Sequence, residues 1–178
     1  MATAKQSKTV PVDLETTRKR TLVLNIPPSL WKPPTASVVI DGETYAPKDE
    51  LHVTLLGRAL LEEIETQLSL RLRRRLWAEA RNRQWRIDRG GELHLLEHFD
   101  PATPGAPSAR SIVEMIMLDG AEAFYQSLEH QVGRQLPRPP THVTLYTLRD
   151  AGGIGIPDAG SLRRLTVRTL TREELASA

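Results

Sequence analysis

Three features of the chain predict an α+β protein with mainly antiparallel sheets. Short apolar runs end at Pro or Gly turn signals, two stretches carry apolar residues at helical spacing, and these segments interleave without the regular rhythm of a doubly wound parallel sheet. Residues 1–17 (MATAKQSKTVPVDLETT) are polar and aperiodic, and they read as a flexible leading segment before a single domain over residues 18–178.

Within that domain, Thr21–Ile26 (TLVLNI), closed by Pro27 and Pro28, is the first predicted strand. Ser37–Ile40 is the second, with Asp41-Gly42 as its turn. Leu51–Leu56 (LHVTLL) is a third, ended by Gly57. From Arg58, the spacing of Leu61, Ile64, Leu68, Leu72 and Leu76 predicts one long amphipathic helix to about Arg83. Trp85–Ile87 and Glu92–Phe99 read as a hairpin turned by Gly90-Gly91, and Asp100–Ala109 as a surface loop. Ile112–Leu118 is a strand and Ala121–Gln135 a helix stopped by LPRPP. Thr141–Thr147 is a strand, Gly152–Gly160 a glycine-rich loop, and Arg164–Leu170 a closing strand.

The composition, 39% hydrophobic and 26% charged residues, is that of an ordinary globular chain. No apolar stretch is long enough for a membrane span, and the N-terminus lacks the apolar core of a signal peptide, which points to a cytoplasmic protein. The absence of cysteine removes disulfides, thiolate nucleophiles and cysteine metal sites, leaving His, carboxylates, hydroxyls and Arg for any chemistry. The net charge of +2 gives weak support for an anionic partner and none for a dedicated nucleic-acid coat.

The most informative feature is a repeat. HVTL occurs at His52–Leu55 and again at His142–Leu145, each time in a strand-like run behind a turn or proline-rich segment. In a strand, side chains at i and i+2 share a face, so His52 goes with Thr54 and His142 with Thr144, while Val and Leu take the opposite face toward a core. Were the two copies to converge, two imidazoles and two hydroxyls would line one groove. That set suits phosphodiester hydrolysis: one imidazole takes a proton from water and the other delivers one to the departing oxygen. The hydroxyls hold the nonbridging oxygens. The scheme requires no metal and no cofactor.

The two motifs resemble those of the 2H (two-histidine) phosphoesterase superfamily, whose LigT-like members act on 2′,3′-cyclic phosphates of RNA ends or small nucleotides. TLVLNIPPSL, PKDELHVTLLG and AEAFYQSLEHQVGRQLPRPPTHVTLYT are similar to the family's opening strand, first motif, and helix with second motif. The resemblance implies a bilobal fold with pseudo-two-fold symmetry around a central cleft and helices packed outside. It implies His52 and His142 as the acid–base pair, with His142 the base and His52 the acid, and Thr54 and Thr144 as phosphate contacts. Substrates would be RNA ends or small cyclic nucleotides; neither a membrane nor an obligate protein partner is indicated. The chain departs from the family at Tyr146, where LigT-like enzymes often carry Arg. Alternation puts Tyr146 on the face of His142 and Thr144, where it would touch phosphate, stack on a base, or serve only as a rim aromatic with no catalytic role.

Other features have competing readings. The loop Ala151–Ile156 would bring backbone N–H groups to a phosphate or serve only as a turn. Arg71, Arg73, Arg74, Arg75, Arg81, Arg83, Arg86 and Arg89 would guide RNA or form a solvated face with Glu62, Glu63, Glu65 and Glu79. His94, Glu97 and His98 match the H-x-x-E-H pattern of inverted zinc metallopeptidases, a rival that needs a helix where the run is strand-like. His130 reads as a helix-surface residue. A module that binds RNA or nucleotides on the same fold without turnover is the remaining alternative.

Overall fold

The computed structural model describes residues 7–10, 13–18, 20–99, 107–148 and 153–176. The strands are β1 (Ser7–Val10), β2 (Leu14–Thr16), β3 (Leu22–Ile26), β4 (Val38–Ile40), β5 (Glu43–Pro47), β6 (Leu51–Leu56), β7 (Trp85–Asp88), β8 (Leu93–Phe99), β9 (Pro107–Met115), β10 (Met117–Asp119), β11 (His142–Leu148) and β12 (Thr166–Leu170). The helices are α1 (Arg58–Gln67), α2 (Leu70–Asn82), α3 (Ala121–Val132), α4 (Ala159–Leu165) and α5 (Arg172–Ala176). The fold is α+β, and the strand pairings are antiparallel.

Nine strands form one sheet in the order β12-β8-β9-β11-β6-β3-β2, with β5 joined to β11 and β4 to β5. A second sheet of three strands runs β1-β7-β10. One ladder row of the large sheet reads Leu24, Val53, Val143, Glu114, Leu93, and no member is more than 2% exposed. This row faces the main core, where Leu61 and Ile64 of α1, Leu76 and Ala80 of α2, and Phe124, Tyr125 and Leu128 of α3 pack against it. Glu114 is the polar exception. Its carboxylate is met by Arg172 at 3.1 Å, Arg89 at 3.5 Å and the Gly90 N–H at 3.0 Å, which satisfies a charge that burial would otherwise make costly.

The core also fixes the register of the central strands. A one-residue slip of β11 against β6 would turn Val143 out and His142 in, and each apolar side chain so exposed costs about 1.5–3 kcal/mol. Beyond the motif strands, the opposite face of the sheet carries a smaller cluster of Leu96, Ala109, Val113, Ile154 and Ile156, closed by Leu162 and Leu165 of α4.

Several sequence expectations require correction. The leading segment is not a loose tail throughout: Ser7–Val10 pairs with β7, and Leu14 of β2 is buried against β3. The predicted long helix is two helices, because Leu68 and Ser69 are extended and the Ser69 hydroxyl accepts from the Leu72 N–H at 3.3 Å as a new N-cap. Trp85–Asp88 and Leu93–Phe99 are not hairpin partners; they lie in different sheets. Gly91 instead lets the chain cross close to β9, since a Cβ there would stand 2.1 Å from the Met115 carbonyl oxygen. The strand predicted at 112–118 breaks at Ile116 into β9 and β10, and the closing strand is preceded by α4. The Asp41-Gly42 turn holds, both residues having positive φ, but it leads into β5, a strand the sequence did not signal. Of the predicted loop Asp100–Ala109, residues 107–109 belong to β9 and residues 100–106 lie outside the described residues.

Candidate active site

The two HVTL copies lie side by side. β11 pairs with β6 through Val143 opposite Val53, so the antiparallel ladder sets His142 beside Thr54 and Thr144 beside His52. The local dyad of the pair passes between the two valines and carries His52 onto His142 and Thr54 onto Thr144. Both valines are fully buried in the core, whereas His52, Thr54 and Thr144 are half-buried on the other face and His142 is 9% exposed. Two imidazoles on a strand diagonal have Cβ atoms about 7–8 Å apart or less, a span one phosphate fills.

The dyad extends to the backbone. Along β3 and β6 the register steps from Val23–Thr54 to Leu22–Leu56, which leaves Leu55 as an extra residue. Along β9 and β11 it steps from Val113–Thr144 to Ile112–Tyr146, leaving Leu145 extra. The same position of each motif is thus a β-bulge, immediately after the threonine. Each bulged carbonyl finds a donor from another part of the chain. The Tyr125 hydroxyl of α3 donates to Leu55 O, and the Lys48 N–H donates to Leu145 O at 2.9 Å.

The bulge overturns the reading of Tyr146. Strict alternation would put it with His142 and Thr144, but the extra residue reverses the phase. Tyr146 therefore pairs with Ile112 and packs in the main core at 7% exposure, where burial raises its hydroxyl pKa. Leu56 occupies the corresponding core position after the first motif.

The two rings differ in surroundings. His142 Nδ1 lies 2.8 Å from the Pro140 carbonyl oxygen; a carbonyl only accepts, so Nδ1 carries the hydrogen and the neutral ring keeps its lone pair on Nε2. Burial lowers the His142 pKa, the Pro140 hydrogen bond opposes this, and positive charge on His52 lowers it further. Burial also lowers the His52 pKa, with Glu50 and Glu15 pulling it up and Lys48 pulling it down. Opposite His52 on β3, the Asn25 amide donates to Asp13 at 3.2 Å and Glu15 at 3.1 Å, which fastens those carboxylates to the His52 side of the site. Glu50, next but one to His52, could have been suspected from sequence. The Tyr125, Pro140, Asp13 and Glu15 contacts had no local signal.

Gly153 of the glycine-rich loop lies against Thr144, with φ +74° and a notional Cβ 3.2 Å from the threonine hydroxyl. Ala151 and Gly152 lie outside the described residues. The H-x-x-E-H pattern is on a strand, not a helix. His94 and Glu97 point to opposite faces of β8, His94 contacts Thr166 and Glu92, and Glu97 pairs with Arg110 at 2.7 Å. The zinc peptidase reading fails on this geometry. Among the described residues, no group of three or more His, Asp or Glu is placed to hold a metal ion. The arginine-rich α2 packs through Leu76 and Ala80 on the core side of the sheet, away from the motif face, and Arg73 and Arg75 pair with Glu65 and Glu79. His130 is exposed on α3. Among the described residues, no helix is long and apolar enough to cross a membrane. No protein-family model, curated protein or solved structure matches this chain.

Proposed function

We propose that the chain is a metal-independent phosphodiesterase that opens 2′,3′-cyclic phosphates of RNA ends or small nucleotides. The observation that carries this reading is the pairing of Val53 with Val143, which puts two imidazoles and two hydroxyls on one face around a local dyad. In this reading the dyad relates two lobes, β2-β3-β6 and β11-β9-β8-β12, and the substrate lies over the motif face between them. The resemblance of the motifs to those of 2H phosphoesterases points the same way.

The contacts of the two rings support a division of roles. His142 Nε2 takes a proton from water as the water oxygen forms its bond to phosphorus, and the growing positive charge on the ring is met by the Pro140 carbonyl at Nδ1. His52, favoured in its protonated form by Glu15 and Glu50, gives a proton to the ribose oxygen as its bond to phosphorus breaks. Thr54 and Thr144 donate hydrogen bonds to the nonbridging oxygens, where charge accumulates. A bound anion beside both rings raises both pKa values, which offsets the depression by burial.

The test is hydrolysis of 2′,3′-cyclic mononucleotides in the presence of EDTA. Conversion to a nucleoside monophosphate supports the reading. Binding of the nucleotide without turnover would instead identify a non-catalytic binding module on the same fold.

A further inference from the structure

The segment between α3 and the second motif is held far more firmly than a surface connection requires. Arg138 stands at its centre. Its guanidinium donates to Glu129 at 2.6 and 3.1 Å and to Glu122 at 3.1 Å through both Nε and Nη2, all on α3. The same group donates to the Leu136 carbonyl at 3.1 Å, and Glu129 accepts the Leu136 N–H at 2.6 Å, so the segment is fastened from both its backbone and its side chain. Hydrogen bonds from Arg138 and Leu136 hold the Glu129 carboxyl at about 2, well below the ordinary range.

Pro139 and Pro140 follow, with φ fixed by their rings, and they transmit the placement of Arg138 to the Pro140 carbonyl. At the far end Thr141 is pinned to Ile116 by two hydrogen bonds, 2.7 Å through its hydroxyl and 3.0 Å through its carbonyl. The Arg138 guanidinium also lies over the Tyr125 ring, 4.8 Å from its centroid, and the hydroxyl of that ring caps the bulged Leu55 carbonyl of the first motif. One side chain therefore touches the supports of both motifs without itself lying in the sheet.

We propose that Arg138 is a positioning residue for the two-histidine site: it locks Leu136–Pro140 onto α3 so that the Pro140 carbonyl fixes the His142 ring, and it stacks on the tyrosine that holds the first motif's bulge. This rests on the phosphodiesterase reading for its catalytic consequence but not for its structural one. Without the clamp, the carbonyl is free to leave Nδ1, the ring is free to rotate or exchange tautomers, and Nε2 is no longer held where the attacking water must lie.

The experiment compares wild type with Arg138→Met and Glu122→Gln in the full chain. It reads the His142 tautomer by nitrogen-15 NMR of the imidazole and, separately, kcat and KM on a 2′,3′-cyclic mononucleotide. The wild type is expected to show Nδ1–H at His142. Arg138→Met is expected to show a mixture of tautomers and a kcat lower by about ten- to a hundredfold, with KM changed about twofold or less. Glu122→Gln keeps the stack on Tyr125 and the Glu129 contacts, so it serves if Arg138→Met does not fold, and it should show a smaller change in the same direction. Retention of Nδ1–H and of kcat within about twofold in a folded Arg138→Met protein overturns the proposal. If the wild type turns over no cyclic phosphate, a changed tautomer in the variant still supports the positioning role, and the reaction assignment alone falls.

Discussion

His52 and His142 hold the same position in the same tetrapeptide, yet one lies half-buried beside Glu15 and Glu50 while the other is buried with its Nδ1 on the Pro140 carbonyl. The bulge after each motif repeats this contrast, its carbonyl taken by a tyrosine hydroxyl in the first copy and by a backbone N–H in the second. The sequence repeat thus makes two equivalent positions, and the surroundings make them chemically unequal. In the proposed reaction acid and base differ by what surrounds each imidazole, since nothing within HVTL itself could distinguish them.

The sharpest break in this comparison is to remove each ring in turn. His142→Ala should lower kcat by about two to four orders of magnitude on any phosphodiester substrate, because loss of the base affects every attack by water. His52→Ala should cost as much on a cyclic nucleotide, but far less on a diester with a nitrophenolate leaving group, which departs without a proton. Steady-state kinetics on the two substrates checks the assignment. Equal losses on both substrates for both variants would mean the rings are not divided into acid and base.

Next in size are the hydroxyls, where the dyad predicts equality. Thr54→Val and Thr144→Val should each lower kcat by about two to three orders of magnitude, the usual cost of losing one oxyanion donor. A large loss at one threonine and none at the other would show that phosphate sits off the dyad. The close approach of Gly153 to Thr144 marks that hydroxyl as the more confined of the two.

The smallest effect sharpens the electrostatic side. Both histidine pKa values are lowered in the folded protein, so kcat/KM should peak below the ordinary imidazole value of about 6.5 and fall as pH rises and His52 loses its proton. Glu15 favours the protonated ring, so Glu15→Gln should lower the His52 pKa further and move the alkaline limb to lower pH. The limb governed by His142 should stay in place. A pH–rate profile of the variant reads both limbs, and movement of the acidic limb alone would reverse the assignment of the two rings.

Much of this arrangement can be read from local pattern. The strand positions of both motifs, the sharing of a face by His52 with Thr54 and by His142 with Thr144, and the burial of Val53 and Val143 follow from a period of two in short apolar runs. The split of the long helix was also encoded, in Ser69, but its cap competes with a strong apolar periodicity running through Leu68 and Leu72. Tyr146 shows where local reading stops. Alternation counts residues along one strand, whereas a bulge is a mismatch between two, so the phase after Leu145 depends on β9.

The sequence by itself determined that two imidazole–hydroxyl pairs would stand on strand faces opposite a buried Val/Leu face, because side-chain alternation and the hydrophobic effect act within a few residues. Only the tertiary structure decided that the two strands are direct neighbours in register at Val53 and Val143, and that Pro140 orients one ring while Glu15 and Glu50 flank the other. Those choices belong to contacts between segments far apart in the chain, set by which register buries the most apolar surface and leaves the fewest backbone groups unpaired.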